Sequence, residues 1–522
     1  MRFALAVSFA AASFAALAEV SLPAVFGDHM VLQRGKPLPV WGRAEPGEKV
    51  TVAFNGATAS GDADAKGFWT ATLPPQEACT EGKALEVKAD SGSRTFKDVL
   101  VGDVWLVSGQ SNAELNLGSC IGYKESVAET NRLIRHIKFH RVRAIVPSRY
   151  EVKASPWVVP SAKLYQTTTM TGMGFFFARD IVRKTGVPVG ILDNNWGGCH
   201  IETYCSAEGF EIAARLHPDD PFFRNALDSR LAGLRRLAKN FEGKSGADSL
   251  SAFDLDELQY QDAFYLFSQY NAMIRPIIRF PIAGALWYQG CANNPGEPVP
   301  RYTRFLEALV YGWREAWGYD FPVYIVQIAA LGERPKTPQG GDGYAWVRDA
   351  QLKGHRAIPN TGLAVAIDIG NAKDIHPRNK QDVGERCALW ALRDVYGRKD
   401  LVVSGPLYRE AKVEGDAIRV SFDHVGSGLV VAEKDPDGSG IPAKIIDGGE
   451  LRGFSIAGAD LKWHFAAAKI DGETVVVSAP EVKAPVAVRY AFRANPMGDC
   501  NLYNREGLPA SPFRTDDWEK RK

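Results

Sequence analysis

The chain has 522 residues, more than one ordinary domain holds, which predicts roughly two to four domains. Hydrophobic residues make up 45% of the chain and charged residues 24%, a composition that is typical of a soluble globular protein and excludes a low-complexity one. The 62 Lys and Arg residues balance the 61 Asp and Glu residues to a net charge of +1, so no basic surplus indicates a nucleic-acid partner.

The first 18 residues have the pattern of an export signal. One arginine precedes an apolar, alanine-rich run that ends in Ala16-Leu17-Ala18, which resembles a signal-peptidase cleavage site. We expect a signal peptide over 1–18 and a secreted or periplasmic protein, with a retained anchor as the alternative. No other stretch is long and apolar enough to cross a bilayer, so no stable membrane insertion is expected.

Short strands dominate both ends of the chain. "KVTVAFNG", "GFWTATLP" and "KALEVKAD" lie between turn residues and predict an N-terminal β-sandwich domain over 19–100. "AIRVSF", "TVVVSAP" and "VAVRYAF" predict a second β-sandwich domain over 401–522.

Strands alternate with helices over 101–400. The apolar segments "VWLV", "VGILDN", "GALWYQ", "VYIVQI" and "LAVAID" are separated by the helical patterns "GFFFARDIVRKTG", "RYTRFLEALVYGWREAWG" and "QDVGERCALWALRDVYG". This alternation predicts an α/β domain with three layers, in which helices cover both faces of a parallel sheet. The charged stretch 206–251 is interpreted as an insertion over that sheet.

Seven cysteines are present, so at least one is unpaired within the chain. No C-x-x-C motif occurs, which argues against a zinc or thioredoxin-type site. Cys199 and Cys205 are close enough in sequence to form a disulfide, but buried free thiols are the expected state of most of the seven.

Polar residues and glycines follow four of the predicted strands. They are Ser111 after the first strand, Gly197 and Gly198 after the second, Gln289 and Asn293 after the third, and Asp368, Asp374 and His376 after the last. Because ligands bind outside the carboxyl ends of parallel strands, these residues are expected to converge on one crevice.

Together these residues suit acyl transfer. A serine needs a histidine to accept its proton, the histidine needs a carboxylate to hold its tautomer, and the tetrahedral oxyanion needs N–H donors. Each signal alone has a simpler explanation. The serine can belong to a plain turn and the paired glycines to a tight bend, and the histidine can be structural or a metal ligand. The conjunction at successive strand ends favours catalysis, and the spacing of the histidines shows no metal-ligand motif.

Several motifs carry a resemblance to a known family. "GQSN", "WGG", "WYQG" with a following asparagine, and "DIHPRNK" occur in order, with "VFGDHMVLQRGKPLPVWGRA" near the start and "CNLYNREGLPASPFRTDDW" at the end. The chain resembles the sialate O-acetylesterase branch of the SGNH hydrolases over most of its length. The resemblance implies a secreted esterase with an SGNH-type catalytic domain that removes acetyl groups from sugars without metal or organic cofactor.

The resemblance also implies roles for individual residues. Ser111 corresponds to the nucleophile, His376 to the general base and Asp374 to the orienting acid, with Asp368 in reserve because the family commonly spaces this pair as Asp-x-x-His. The oxyanion hole is assigned to the Ser111 amide, a glycine amide of "WGG" at Gly198, and the carboxamide of Asn293, and substrate binding to Gln110 and Gln289.

The sequence departs from the branch at two places beside these motifs. Cys291 stands where relatives carry a glutamate, and Ala113 stands where they often carry methionine. Trp196, Trp287 and Tyr288 either stack on a sugar or belong to the core.

The leading substrate expectation is O-acetylated sialic acid. An esterase for plant or algal polysaccharide such as acetyl-xylan, and a carbohydrate-binding protein with a decayed catalytic centre, are the alternatives. The sequence gives no indication of the oligomeric state.

Overall fold

The computed structural model describes residues 19–128, 131–148, 152–161, 163, 167, 169–241, 265–294, 300–334 and 336–518. The predicted signal peptide over 1–18 and the last part of the predicted insertion, 242–251, lie outside the described residues.

The N-terminal strands form antiparallel sheets that continue into the central sheet. They are β1 (Val31–Gln33), β2 (Leu38–Arg43), β3 (Lys49–Phe54), β4 (Ala57–Asp62), β5 (Phe68–Leu73), β6 (Cys79–Ala89) and β7 (Gly92–Gly109). β4, β3, β6 and β7 pair antiparallel in that order, β2 pairs with β5, and β1 pairs parallel with β7. β7 runs across the predicted domain boundary near residue 100, so one strand belongs to both sheets.

A six-stranded parallel sheet forms the centre of the molecule. Its further strands are β8 (Ile134–Lys138), β9 (Val189–Asn195), β10 (Gly284–Tyr288), β11 (Val323–Val326) and β12 (Thr361–Ala364). The order is β8-β9-β7-β10-β11-β12, with all neighbours parallel. β7 is therefore central: of the strands that follow it in the chain, β8 and β9 lie on one side and β10 to β12 on the other. This confirms the predicted α/β fold and four of the five predicted strands. The fifth, "LAVAID", overlaps β12 only at Leu363 and Ala364, and Asp368 lies in a short 3-10 helix, Ile367–Ile369.

Eight α-helices occur in the described residues. They are α1 (Ser111–Glu114), α2 (Tyr123–Ala128), α3 (Gly172–Thr185), α4 (Ala207–Leu216), α5 (Phe222–Phe241), α6 (Pro300–Trp317), α7 (Gly343–Ala357) and α8 (Gln381–Asp394). α3 packs against α8, while α6 packs against α4 and α7. α4 and α5 form the described part of the predicted insertion.

The two helix groups cover opposite faces of the sheet. Trp105 of β7 packs edge-on against Phe177 of α3, and Trp287 of β10 packs edge-on against Trp313 of α6. Trp287 is paired in register with Ser108, so it shares a face with Ser108 and not with Trp105. The parallel strands are buried on both faces, which explains their continuous apolar runs.

The C-terminal strands form separate antiparallel sheets, as predicted. They are β13 (Leu407–Glu414), β14 (Ala417–Asp423), β15 (Leu429–Glu433), β16 (Lys444–Ile445), β17 (Phe454–Gly458), β18 (Trp463–Phe465), β19 (Ala467–Asp471), β20 (Thr474–Ser478), β21 (Pro485–Tyr490), β22 (Leu502–Asn504) and β23 (Phe513–Arg514). Their orders are β13-β14-β20-β19, β16-β15-β22 and β18-β17-β21-β23.

Candidate active site

Ser111 lies at the carboxyl end of the central strand. β7 ends at Gly109, where φ is 141° and an added Cβ atom would lie 2.2 Å from the Tyr288 carbonyl oxygen, so only glycine fits. Gln110 follows, and Ser111 begins the four-residue helix α1. The serine therefore stands at the switch point of the sheet, between the ends of β9 and β10.

His376 approaches this serine from the loop between β12 and α8. Its Nε2 atom lies 2.7 Å from Ser111 Oγ, although 265 positions separate the two residues. The imidazole is 37% exposed, so a substrate can reach it. This distance allows the imidazole to accept the hydroxyl proton directly.

The two candidate acids have different surroundings. Asp374 Oδ1 lies 3.8 Å from His376 Nδ1, beyond hydrogen-bond distance, and instead accepts the backbone N–H of His376 at 2.8 Å. Asp368 is buried and accepts two hydrogen bonds of 2.7 Å from the guanidinium of Arg386, and a third at 3.1 Å from the Tyr503 hydroxyl. Asp374 is thus the carboxylate beside the histidine, and its orienting role stays a prediction.

Backbone N–H groups surround the serine. A Cβ atom added to Gly197 would lie 3.3 Å from Ser111 Cβ, which places the predicted "WGG" loop directly against Ser111. The Gly197 N–H donates to Glu114 Oε2 at 3.0 Å. The N–H groups of Ser111 and Gly198 have no acceptor within the described part of the chain, which leaves both free for an oxyanion.

The carboxamide of Asn293 braces a neighbouring loop. Its Nδ2 donates to Glu202 Oε2 at 2.9 Å, and its Oδ1 accepts from the Ile201 N–H at 3.0 Å and from Gln289 Nε2 at 2.6 Å. An oxyanion contact requires Nδ2 to turn away from Glu202, and this predicted role stays a prediction.

Gln110 and Gln289, assigned to substrate binding, are almost fully buried. Gln110 Oε1 accepts the N–H groups of Gly290 and Ala292 at 3.1 and 3.2 Å, and Gln289 Nε2 donates to the Cys199 carbonyl at 3.1 Å. Both carboxamides hold the loops around the serine in place, and their direct contact with substrate stays a prediction.

Three polar residues at the site have no role in the sequence interpretation. Glu114 holds the Gly197 amide and pairs with Arg141 at 2.6 Å. Asn112 joins the loops that carry Ser111 and His376, and Lys380 binds Asn112. All three lie within or directly beside the quoted "GQSN" and "DIHPRNK" motifs. Their position within or beside these motifs is the sequence feature that could have identified them.

The two departures from the family pattern, Ala113 and Cys291, differ in their burial. Ala113 is completely buried, and Cys291 is partly buried beside Tyr344. Burial raises the pKa of the Cys291 thiol, so the thiol is uncharged at neutral pH. Cys291 therefore does not supply the negative charge of a glutamate.

The three aromatic candidates separate clearly. Trp287 and Tyr288 are buried in the core, whereas Trp196 is partly exposed beside Gly197, with the Arg143 guanidinium 4.6 Å from its ring. Only Trp196 offers a surface to a sugar. All seven cysteines, including Cys199 and Cys205, are free thiols, and five of them are buried.

The described residues contain no group of three or more His, Cys, Asp or Glu side chains placed to hold a metal ion. Across the same residues, every helix is too short or too polar to cross a membrane.

Comparisons with known proteins agree with this architecture. No model of a known protein family matches the sequence. The sialate O-acetylesterase of Mus musculus is 25% identical over 527 residues, covering 93% of this chain and 92% of the mouse protein. That of Rattus norvegicus is 25% identical and covers 76% of this chain and 78% of the rat protein.

A crystal structure gives the stronger comparison. A carbohydrate acetylesterase from Xanthomonas citri is 34% identical, covers 96% of this chain and 100% of its own, and superposes with a TM-score of 0.79. The protein therefore belongs to the sialate O-acetylesterase family and is a carbohydrate acetylesterase.

Proposed function

We propose that Ser111 and His376 carry out the hydrolysis and that the substrate is an O-acetylated sialic acid. The observation that carries the catalytic part is the 2.7 Å contact between Ser111 Oγ and His376 Nε2 at the carboxyl edge of the parallel sheet. The contact also argues against a decayed catalytic centre, because both reacting groups are present and in hydrogen-bond reach.

The proposed reaction has two halves. His376 Nε2 takes the proton of Ser111 Oγ as that oxygen attacks the acetyl carbonyl carbon. The N–H groups of Ser111 and Gly198 stabilise the oxyanion. The C–O bond to the sugar then breaks, and the sugar oxygen takes the proton from the imidazolium. Water, deprotonated by His376, releases acetate from the acetyl-serine and restores the hydroxyl.

The activity after which the mouse and rat relatives are named supports sialic acid as the substrate class. A second observation comes from the site. Arg141 binds Glu114 through Nε and one terminal nitrogen, and its side chain is 52% exposed. The remaining N–H donors suit the carboxylate that every sialic acid carries.

Substitution of the serine tests the mechanism. Ser111→Ala removes one oxygen, so the circular dichroism spectrum should be unchanged while turnover of p-nitrophenyl acetate falls by a factor of about 10⁴ or more. A variant that keeps more than about a tenth of the activity would exclude Ser111 as the nucleophile.

Substrate competition tests the sugar. O-acetylated sialic acids and acetyl-xylan should be compared at equal ester concentration, with wild type and Arg141→Gln. We expect sialic acid esters to be preferred and Arg141→Gln to raise KM for them alone. Preference for acetyl-xylan, with no effect of the substitution, would indicate that the substrate is a neutral polysaccharide and not a sialic acid.

Export remains part of the proposal. The apolar run and small residues over 1–18 support cleavage after Ala18. Expression with the complete N-terminus should give a mature protein that begins at Glu19. An intact N-terminus on protein recovered outside the cytoplasm would favour a retained anchor.

A further inference from the structure

Two adjacent contacts join the serine and histidine loops. Beside the hydrogen bond between Ser111 and His376, the next residue, Asn112, donates from Nδ2 to the carbonyl oxygen of Ile375 at 2.9 Å. Ile375 directly precedes His376 in the chain. The Asn112 side chain therefore links the serine loop to the histidine loop, one residue away from each of the two reacting side chains.

Asn112 is held in turn by a buried lysine. Lys380 is completely buried, and its Nζ donates to Asn112 Oδ1 at 2.7 Å. Within the described residues, no carboxylate lies within ion-pair distance of this ammonium. The ring centroid of Tyr288 lies 5.2 Å away, and this aromatic face offers only partial compensation.

The lysine fixes which way the amide points. An ammonium has three donors and no acceptor, so it accepts only the oxygen end of the Asn112 amide as its partner. The nitrogen end then faces Ile375 and meets a carbonyl oxygen. A flipped amide would place two donors together at Lys380 and two acceptors together at Ile375.

Within the described residues, few other contacts hold the imidazole ring of His376, although Asp374 Oδ1 accepts its backbone N–H at 2.8 Å. The imidazole Nδ1 lies 3.8 Å from the Asp374 carboxylate, and that carboxylate is itself 52% exposed. Ile375 is 39% exposed, so packing of its side chain contributes little to the loop. The partly buried hydrogen bond from Asn112 to the Ile375 carbonyl is thus a local restraint on the position of His376.

We propose that Asn112 and Lys380 are positioning residues that hold His376 Nε2 against Ser111 Oγ. The proposal rests on the catalytic roles proposed above for those two residues. A buried ammonium without a carboxylate destabilises a fold, and such a feature persists where the surrounding site uses it. The pair acts through the histidine loop and touches neither the acetyl group nor the sugar.

Asn112→Asp tests the contact to Ile375. The new carboxylate keeps the shape of the amide and forms an ion pair with Lys380, but its second oxygen repels the Ile375 carbonyl. We expect kcat for p-nitrophenyl acetate to fall at least about tenfold, KM to change little, and the melting temperature to stay at or above that of the wild type. Labelling of Ser111 by a fluorophosphonate should slow in parallel.

A matched pair of variants at position 380 separates the hydrogen bond from the charge. Lys380→Gln and Lys380→Met are both neutral and similar in length, but only glutamine can donate to Asn112 Oδ1. We expect Lys380→Gln to keep more of the wild-type kcat than Lys380→Met by about fivefold or more, which is about one hydrogen bond. Equal kcat values in both variants would overturn the role of Lys380.

Two further variants complete the test. Asn504 is also a buried asparagine whose amide binds backbone groups, but it lies in the C-terminal sheets. Asn504→Asp should lower the melting temperature and leave kcat of the folded enzyme unchanged. Wild-type kcat and labelling rate in folded Asn112→Asp would overturn the positioning role while Ser111→Ala still reports on the mechanism. If Asn112→Asp fails to fold, the comparison at position 380 decides.

Discussion

The carboxylate of Glu114 accepts the N–H of Gly197 at 3.0 Å, so a residue three positions after the proposed nucleophile holds the loop that faces it. The same carboxylate accepts two hydrogen bonds from Arg141. With the Gly197 amide occupied, the proposed oxyanion donors are the N–H groups of Ser111 and Gly198. Glu114 therefore holds the loop that carries one of the proposed oxyanion donors.

Substitutions of Glu114 should separate the effect of its hydrogen bond to Gly197 from the effect of its charge. Glu114→Gln keeps an acceptor for the Gly197 N–H, whereas Glu114→Ala removes it and frees the loop. We expect kcat for p-nitrophenyl acetate to fall at least about tenfold in Glu114→Ala and by a much smaller factor in Glu114→Gln. Equal losses in the two variants would show that the charge, not the hydrogen bond, matters.

The two glycines of the loop should respond differently to alanine. At Gly197 a Cβ atom would lie 3.3 Å from Ser111 Cβ and 3.4 Å from Glu114 Oε2, which crowds the nucleophile. At Gly198 the space is open but φ is 74°, which strains any other residue by about 1 kcal/mol. Gly197→Ala should mainly lower kcat/KM, and Gly198→Ala should mainly lower the melting temperature. The reverse pattern would contradict the placement of the loop.

Substitutions of Asp374 and Asp368 should have different effects, the first on catalysis and the second on stability. Asp374→Asn should lower kcat at least about tenfold more than Asp368→Asn, because only Asp374 lies beside the imidazole. Asp368→Asn leaves the buried guanidinium of Arg386 without its carboxylate, which should destabilise the protein by about 3–5 kcal/mol. Steady-state kinetics and urea unfolding measure the two effects. A larger loss of kcat in folded Asp368→Asn would transfer the orienting role to Asp368.

The strands of the central sheet show how far sequence patterns reach. Continuous apolar runs predict β7 and β9 to β12, because both faces of these strands are buried. β8 is not predicted in this way, because the basic residues Arg135, His136 and Lys138 are typical of an exposed segment. In the structure Arg135 pairs with Asp98 at 2.9 Å and His136 with Asp193 at 3.0 Å. These partners are far away in sequence, so periodicity gives no indication of them.

The candidate site likewise contains residues that sequence patterns predict and residues that they do not. Ser111 and His376 are predictable, because each follows a strand end and each has a role that few residue types can fill. Lys380 is not, since a lysine among Asn, Arg and Pro normally indicates a solvated loop. Its complete burial depends on partners that are distant in sequence, such as Asn112, which lies 268 positions away. Local sequence carries no record of that packing.

The buried lysine leads to a prediction about stability and pH. Burial lowers the pKa of Lys380 to about 8, from an ordinary value of 10.5. Below pH 8 the ammonium is charged in both the folded and unfolded states, so the full penalty of burying it is present. Between pH 8 and 10.5 the unfolded chain still binds the proton while the folded protein has released it, so stability rises with pH relative to a variant that does not titrate there.

Lys380→Met provides that reference. Other ionisable groups titrate alike in both proteins and largely cancel in the difference between them. From pH 7 to pH 10.5 the unfolding free energy of the wild type should therefore increase relative to Lys380→Met by on the order of 3 kcal/mol. Urea titrations of both proteins across this range measure the change. A difference that stays constant with pH would mean that the Lys380 ammonium keeps its ordinary pKa, and that its burial costs the fold nothing.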